Sequence, residues 1–252
     1  MAQRLDVIAH RGARRTHPEN TLAAFEAAAR AGADGIEFDV QLSGDGVPVV
    51  MHDATVDRTT DGAGRVDELT AADLGRLDAG SWFSSEFRSE AVPTLDAVLD
   101  WAHTNTLTLH IELKDGPTMR GDGLANAVTE ALERADLSHR AVLSSYNHAR
   151  LVEARAREPQ LRTAILYDFG LYEPWDYVRS LGASAIHCRW DWTDASLVQR
   201  ARAHAIAVRA FGADDEHALH AMLHGAGAGV ITPEPELALG IRARVRDAAR
   251  EA

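Results

Sequence analysis

Residues 35–51 read GIEFDVQLSGDGVPVVM and contain two runs with the alternation and β-branched residues that are typical of strands. The runs cover residues 35–42 and 47–51, and only four residues, 43–46, separate them. A parallel return between two strands needs about a dozen residues or more, so the two runs must form an antiparallel hairpin. This hairpin decides how the remaining strands are counted.

Seven further strand-like runs lie along the chain, and helical patterns such as residues 21–31 and 122–134 separate them. Nine runs are one more than a barrel needs, and the second arm of the hairpin accounts for the extra one. Alternating strands and helices are typical of parallel sheets, so eight repeats predict an α/β fold, a TIM-type (β/α)8 barrel. The predicted parallel strands are residues 5–9, 35–42, 107–113, 141–144, 163–167, 185–188, 206–211 and 229–232.

The length of 252 residues suits one barrel, and we expect a single domain over residues 1–252. Residues 54–92 do not fit the strand–helix repeat, because they contain four glycines and a group of aromatic residues, Trp82, Phe83 and Phe87. We expect a small insertion there, after the hairpin. It is either a surface subdomain that covers apolar barrel edge or a lid over the substrate.

Charge and composition exclude several classes of protein. The 38 acidic residues outnumber the 26 basic ones, and a net charge of −12 repels nucleic acids and anionic membrane surfaces. No run approaches the ~20 apolar residues of a membrane span, and residues 1–4 lead straight into a strand, so we expect a cytoplasmic protein without stable membrane insertion. Cys188 is the only cysteine, which excludes an intrachain disulfide and predicts a buried thiol. The oligomeric state stays open.

Carboxylates occupy strand positions that should face the barrel axis. In residues 36–40 the alternation sends the apolar side chains outward and aims Glu37 and Asp39 inward. The next parallel strand repeats the pattern and turns Glu112 and Lys114 inward. Carboxylates in a poorly solvated interior would take up protons unless a cation holds them. The pattern therefore indicates a cation site.

Two histidines are predicted to join these acids. A hairpin tip centred on residues 44 and 45 pairs His52 with Glu37, and a tip at residues 45 and 46 pairs it with Asp39 instead. His10 and Arg11 follow the first strand directly, at the carboxyl end where barrel enzymes build their active sites. Either register therefore brings both imidazoles to the carboxylates.

Each of these residues could also have a purely structural role. Glu112 and Lys114 could form an internal ion pair, and Glu37 and Asp39 could face solvent on an edge strand. With 12 histidines in the chain, any one of them could be a surface residue. These explanations do not account for the convergence of all the groups at one barrel mouth, where unneutralised carboxylates would reduce stability.

Together these motifs resemble those of the glycerophosphodiester phosphodiesterases, whose signature is His-Arg-Gly, Pro-Glu-Asn-Thr, Glu-x-Asp and His-Asp. The resemblance is strong from residue 7 to about 114 and weakens towards the end of the chain. There, Phe211-Gly212-Ala213-Asp214 and Thr232-Pro233 stand where the family carries Trp-Thr-Val-Asn and Thr-Asp. The matching motifs are His10-Arg11-Gly12, Pro18-Glu19-Asn20-Thr21, Glu37-Phe38-Asp39, His52-Asp53, Arg58-Thr59-Thr60 and Glu112-Leu113-Lys114.

The resemblance implies metal-dependent hydrolysis of a small-molecule glycerophosphodiester to an alcohol and glycerol 3-phosphate. Three carboxylates without cysteine form a hard oxygen site that suits Ca²⁺ or Mg²⁺. His10 is expected to act as the base and His52 as the acid. The full set of implied roles is metal binding by Glu37, Asp39 and Glu112, phosphate binding by Arg11 and Lys114, acid–base catalysis by His10 and His52, and a cavity wall formed by Phe211, Trp190 and Tyr146.

Residues beside the motifs have expected supporting roles. Asn20 is expected to cap the helix at residues 21–31, and Glu19 to touch the metal site. Asp53 either orients His52 or closes the end of its strand.

The chemistry of the substrate suggests the nucleophile. A glycerol-linked diester carries a hydroxyl next to its phosphate-bearing carbon, so we expect intramolecular attack and a cyclic glycerol phosphate intermediate. Two other functions stay open. One is a non-catalytic barrel that binds a phosphorylated ligand, and the other is a lysophospholipase D-type phosphodiesterase with an apolar groove for an acyl chain. The residues that could line such a groove are Trp82, Phe83, Phe87, Trp190 and Trp192.

Overall fold

The computed structural model describes residues 5–114 and 123–251 of the chain. Eight parallel strands form a closed barrel, because the first strand pairs with both the second and the last. A ninth, short strand runs antiparallel to the second as the outer arm of the hairpin. The strands are β1 (Val7–His10), β2 (Gly35–Leu42), β3 (Pro48–Val50), β4 (Thr108–Leu113), β5 (Ala141–Ser145), β6 (Arg162–Tyr167), β7 (Ala185–Arg189), β8 (Ala207–Phe211) and β9 (Gly229–Thr232).

Helices connect the strands and cover the barrel, which confirms the predicted TIM-type architecture. Several begin at a Thr or Asp whose side chain accepts a hydrogen bond from the first turn, as Thr94 and Asp194 do. The helices are α1 (Leu22–Ala31), α2 (Ala71–Leu74), α3 (Leu95–Ala102), α4 (Leu124–Arg134), α5 (His148–Arg157), α6 (Trp175–Ser180), α7 (Ala195–Ala203), α8 (Glu216–His220) and α9 (Pro235–Glu251). Short 3-10 turns occupy Val66–Glu68, Ser85–Phe87, Ser138–Arg140 and Trp190–Trp192, and a π-helical segment, Ala221–Ala226, follows α8.

The apolar faces of the strands pack as the alternation predicts. Ile36, Phe38 and Val40 of β2 are fully buried in the core between the barrel and its helices. Phe25 of α1 packs its ring 5.5 Å from that of Phe38, measured between centroids. Burying a side chain of this size stabilises the fold by roughly 1.5–3 kcal/mol. This packing fixes which face of β2 points inward.

The hairpin register differs by one residue from both predicted alternatives. Val40 pairs with Val50 and Leu42 with Pro48, so paired residue numbers sum to 90 rather than 89 or 91. The turn explains the difference, because it extends to Val47, whose N–H donates to Ser43 Oγ at 3.0 Å. Gly46 takes the positive φ of 77° that this turn requires.

His52 therefore does not pair with Glu37 or Asp39. β3 ends at Val50, and His52 lies just beyond it. The side-chain amide of Gln41 holds this extension by donating to the carbonyls of Met51 and Asp53, at 2.9 and 2.7 Å. These bonds fix the direction in which the chain leaves the hairpin.

Residues 54–92 pack on the outer arm of the hairpin around a small apolar cluster that includes Val49, Val56 and Leu74. The aromatic group of this segment packs on itself, since the ring of Phe83 lies 5.7 Å from that of Trp82 and 5.8 Å from that of Phe87. Within 5–114 and 123–251, no helix has the length and apolar character that a membrane span requires.

Candidate active site

A cavity of about 140 Å³ opens at the carboxyl ends of the barrel strands. It brings together residues from β1, β2, β4, β5 and the segment after β3, which are far apart in the sequence. Asp39 lies buried beside it, only 1% exposed. The cavity is lined by His10, Arg11, Glu37, His52, Glu112, Lys114, Ser144, Tyr146, Leu166, His187, Phe211 and Ile231.

Three carboxylates converge at the base of this cavity. Glu37 and Asp39 point inward from β2, and the parallel register places Glu112 of β4 beside Asp39. One oxygen from each residue lies within 4.8 Å of the others. The period-2 alternation of two neighbouring strands thus builds the cluster that the sequence predicts.

The carboxylates differ in how readily they ionise. Burial, together with the charges of Asp39 and Glu112, raises the pKa of Glu37 well above its usual range. Burial, together with the Asp39 charge, raises the pKa of Glu112 to about 7. Burial also opposes ionisation of Asp39, but Lys114 and Arg11 hold its pKa at about 2. The cluster therefore resists carrying its full negative charge without a further cation.

Lys114 and Arg11 supply part of the compensating charge. Lys114 Nζ donates to Glu112 Oε1 at 2.8 Å and lies 3.5 Å from Asp39 Oδ1. The Arg11 backbone N–H donates to Glu37 Oε2 at 3.2 Å, and Arg11 Nε lies 3.3 Å from Asp39 Oδ2. Both cations sit at the cavity, where a substrate phosphate could replace or share these contacts.

The donor set fits a hard divalent cation. All three ligand groups are carboxylates, the class that Ca²⁺ and Mg²⁺ prefer. Asp39 Oδ1 is buried and has no hydrogen-bond partner among the residues that the structure describes. A cation between the three side chains would satisfy this atom and would oppose the repulsion that raises the pKa of Glu37.

The sequence predicts that Asn20 caps α1, but the structure shows a different residue in that role. Thr21 caps the helix by accepting from Ala24 N–H, while Asn20 turns inward with a φ of 59° and donates from Nδ2 to Asp39 Oδ2 at 2.9 Å. Thr21 takes over the cap because Asn20 sits one residue too early, in the left-handed turn. Asn20 therefore helps to fix the Asp39 carboxylate in its place within the cluster.

A chain of charged side chains links Arg11 to His52 around the rim of the site. Glu19 accepts from Arg11 at 2.9 Å and from Arg58 at 2.7 and 3.0 Å. Arg58 also donates to both oxygens of Asp53, at 2.6 and 3.1 Å. Glu19 thus contacts Arg11 rather than the carboxylate cluster. The sequence contained the Arg58-Thr59-Thr60 motif but no sign of the role of Arg58.

The two histidines have different hydrogen-bond partners. His52 Nδ1–H donates to Asp53 Oδ1 at 2.6 Å, so Asp53 orients the ring and Nε2 keeps a free lone pair. Arg14 Nη2 donates to His10 Nδ1 at 3.4 Å, which leaves the proton of the neutral His10 on Nε2, 3.8 Å from Glu37 Oε2.

Burial is the largest factor that lowers the pKa of both rings. Arg11 and Arg14 lower that of His10 further, and Arg11 and Lys114 lower that of His52. Both imidazoles are therefore held in the neutral form, and each offers one protonated and one unprotonated nitrogen.

Of the three residues expected in the cavity wall, Tyr146 and Phe211 line this cavity and Trp190 lies outside it. β7 ends at Arg189 and the chain enters a 3-10 turn, so Trp190 packs on the apolar cluster around Ala210 and Ala213. Trp82, Phe83, Phe87 and Trp192, which the acyl-groove interpretation invoked, are not among the described residues that line this cavity.

His187 is a lining residue that the sequence analysis missed. It comes from β7, is fully buried, and neither ring nitrogen has a hydrogen-bond partner among the described residues. An inward-facing His on a predicted barrel strand is the signal that could have identified it.

Comparison with known proteins agrees with this geometry. The sequence model of the glycerophosphoryl diester phosphodiesterase family matches residues 10–237. A glycerophosphodiester phosphodiesterase of Caldanaerobacter subterraneus subsp. tengcongensis is 35% identical over 93% of this chain and 96% of its own length. One from Bacillus altitudinis is 32% identical over 95% of this chain and 99% of its own.

Solved structures give the same result. An Oleispira antarctica phosphodiesterase in complex with the product sn-glycerol-3-phosphate superimposes with a TM-score of 0.84 and 31% identity, covering 97% of this chain and 96% of that one. A barrel with this lining, these carboxylates and these relatives belongs to the glycerophosphoryl diester phosphodiesterase family, and the chain is an enzyme of that kind.

Proposed function

We propose that this barrel, as a single domain over residues 1–252, hydrolyses glycerophosphodiesters to an alcohol and glycerol 3-phosphate in a reaction that requires a divalent cation. The observation that carries the proposal is the meeting of three carboxylates, two neutral histidines and two cationic side chains at one cavity. Glu37, Asp39 and Glu112 would hold Ca²⁺ or Mg²⁺, which when bound supplies positive charge for an anionic diester in a protein of net charge −12.

Arg11 and Lys114 are proposed to bind the phosphoryl oxygens. Arg11 is held by Glu19, so its guanidinium is oriented before substrate arrives. Lys114 is held by Glu112 in the same way. Pre-oriented donors stabilise charge that develops on phosphoryl oxygens without having to reorganise during the reaction.

The hydrogen bonds favour His52 as the base and His10 as the acid, the reverse of the assignment expected from the sequence. His52 Nε2 has a free lone pair because Asp53 holds the proton on Nδ1. His10 carries its proton on Nε2 because Arg14 donates to Nδ1. His52 Nε2 would take the proton of the attacking hydroxyl. His10, protonated to the imidazolium once the anionic diester is bound beside it, would give its Nε2 proton to the departing alcohol and return to the neutral ring.

The second half of the reaction restores both histidines. His10, now unprotonated on Nε2, would take a proton from water as that water attacks phosphorus and opens the cyclic phosphate. His52 would return its proton to the glycerol oxygen that leaves phosphorus. The sum of the two halves consumes one water and releases one alcohol and one glycerol 3-phosphate.

Product identification tests the proposed function. With glycerophosphocholine and Mg²⁺ or Ca²⁺, we expect ³¹P NMR to show that the diester is lost and that glycerol 3-phosphate forms. A separate assay for choline should give free choline in an amount equal to the glycerol 3-phosphate. A non-catalytic barrel would leave the diester intact. Phosphocholine and glycerol as products would mean that the other ester bond is cleaved, and the proposed function would be wrong.

Cation affinity should rise with pH around neutrality. Glu112, with a pKa raised to about 7, takes up a proton below this range, and a cation must displace it. The raised pKa of Glu37 acts in the same direction. As the pH drops from 8 to 6, the affinity for Ca²⁺ is therefore expected to fall. Each proton that the cation displaces contributes a fall of up to about tenfold per pH unit. Calorimetry in buffers of different ionisation enthalpy counts the protons released when the cation binds. If the affinity did not change with pH, the cation would not be displacing protons from these carboxylates.

A further inference from the structure

A second and larger cavity, of about 530 Å³, adjoins the catalytic one. The two share Tyr146 and Leu166 in their walls, so the second cavity continues from the first at the ends of β5 and β6. The rest of its wall comes from β6, from the segment that follows it and from α5 and α6. None of the acid–base or metal-binding residues proposed above lines it.

Aromatic rings dominate this wall, and the hydroxyl groups of Tyr146 and Tyr177 are already hydrogen-bonded. Tyr146 Oη donates to Asp168 at 2.8 Å, and Tyr177 Oη donates to His148 Nδ1 at 2.7 Å. Phe169 and Tyr172 are 63% and 90% exposed, although large aromatic residues are usually covered. The cavity thus offers ring faces to a ligand and few free hydrogen-bond donors.

Two carboxylates, Asp168 and Glu173, complete the wall. Neither forms an ion pair with any residue in the part of the chain that the structure describes. Arg189, a cation near Asp168, is itself bound by Asp191 through hydrogen bonds of 3.0 and 2.7 Å. Asp168 and Glu173 are both exposed, so the negative charge at this cavity, which Arg189 offsets in part, is accessible to a ligand.

We propose that this second cavity binds a cationic alcohol, a quaternary ammonium alcohol such as choline, as the part of the diester that departs from phosphorus. Ring faces attract such a cation, its methyl groups need no hydrogen-bond donors, and the two carboxylates match its charge. An acyl chain would gain nothing from the carboxylates, and a neutral polyol has no positive charge for the carboxylates and ring faces to attract. The inference rests on the proposed function and adds the class of leaving alcohol.

The sharpest test compares two diesters that differ only in charge. Glycerophosphocholine and the glycerophosphate ester of 3,3-dimethylbutanol have leaving groups of nearly equal shape, but only choline is cationic. We expect kcat/KM to be about two- to fivefold higher for the choline diester, the size of effect that a cation–π contact gives at an exposed site.

Variants link this preference to the cavity. The double variant Asp168→Asn, Glu173→Gln removes the charge with little change of volume, and Phe169→Ala removes a ring face. Both are expected to bring the ratio between the two substrates close to one. Asp176→Asn, an exposed carboxylate on α6 outside the cavity lining, is the matched control and should keep the ratio.

Binding of choline alone separates failure of this inference from failure of the proposed function. An NMR titration should show choline binding to the wild type more tightly than 3,3-dimethylbutanol does, and the double variant should lose that difference, whether or not the protein turns over a diester. Equal binding of the two alcohols, or equal kcat/KM for the two diesters, would overturn the inference. A rise in kcat/KM with the length of a neutral alkyl ester would overturn it in favour of an apolar chain.

Discussion

Replacing His52 with alanine is expected to slow hydrolysis of a glycerophosphodiester by about 10²–10⁴-fold, the usual cost of losing a general base. His52 is the ring whose Nε2 is left free by the 2.6 Å bond between Nδ1 and Asp53. His10→Ala should cost a similar factor, because it removes the proton donor for the departing alcohol. Steady-state kcat with glycerophosphocholine measures both effects.

A matched control shows that the loss comes from chemistry rather than from the fold. His217 is exposed on α8, and His217→Ala should keep the wild-type rate. Circular dichroism and thermal unfolding should show that all three variants are folded. If His10→Ala or His52→Ala kept the wild-type kcat, that histidine would have no acid–base role.

A substrate analogue without the hydroxyl next to the phosphate-bearing carbon should be cleaved at least about 10²-fold more slowly than the natural diester. Intramolecular attack through a five-membered ring has an effective concentration that free water cannot match. Binding should change little, since Arg11 and Lys114 still contact the phosphate. We predict that kcat is much lower for the analogue than for the natural diester. As a competitive inhibitor, the analogue should bind nearly as tightly as the natural diester.

The comparison also has an informative positive control. A cyclic glycerol phosphate supplied directly should be hydrolysed by the wild type, because it is the proposed intermediate. Cleavage of the deoxy analogue at a rate comparable to the natural diester would mean that water attacks the diester directly, and the cyclic route would be wrong.

The strand alternation made most of the barrel and the carboxylate cluster predictable. Glu37, Asp39 and Glu112 occupy every second position on neighbouring strands, so a period of two and the barrel geometry suffice to bring them together. The exact hairpin register was not predictable, because Val47 looks like a strand residue but closes the turn through Ser43. The segment beyond β3 still delivers His52 to the cavity.

Residues outside the regular elements were harder to predict. Arg58 reaches Glu19 across 39 residues of chain, and no periodicity connects the two. Asn20 looked like a helix cap, and only its left-handed φ turns it towards Asp39. Trp190 looked like a cavity wall, but the strand ends one residue before it. In each case a loop conformation, rather than a strand or helix pattern, decides the contact.

Glu37, Asp39 and Glu112 are proposed to make hydrolysis by this barrel dependent on a divalent cation. Choline release from glycerophosphocholine tests this dependence when it is measured first in excess chelator and then after Ca²⁺ or Mg²⁺ is restored. We predict that the activity disappears with the chelator, because the site then lacks the positive charge that the cation would supply to the phosphoryl oxygens, and that it returns with either ion. Full activity in excess chelator would mean that the three carboxylates support hydrolysis without a bound cation, and the proposed metal dependence would be wrong.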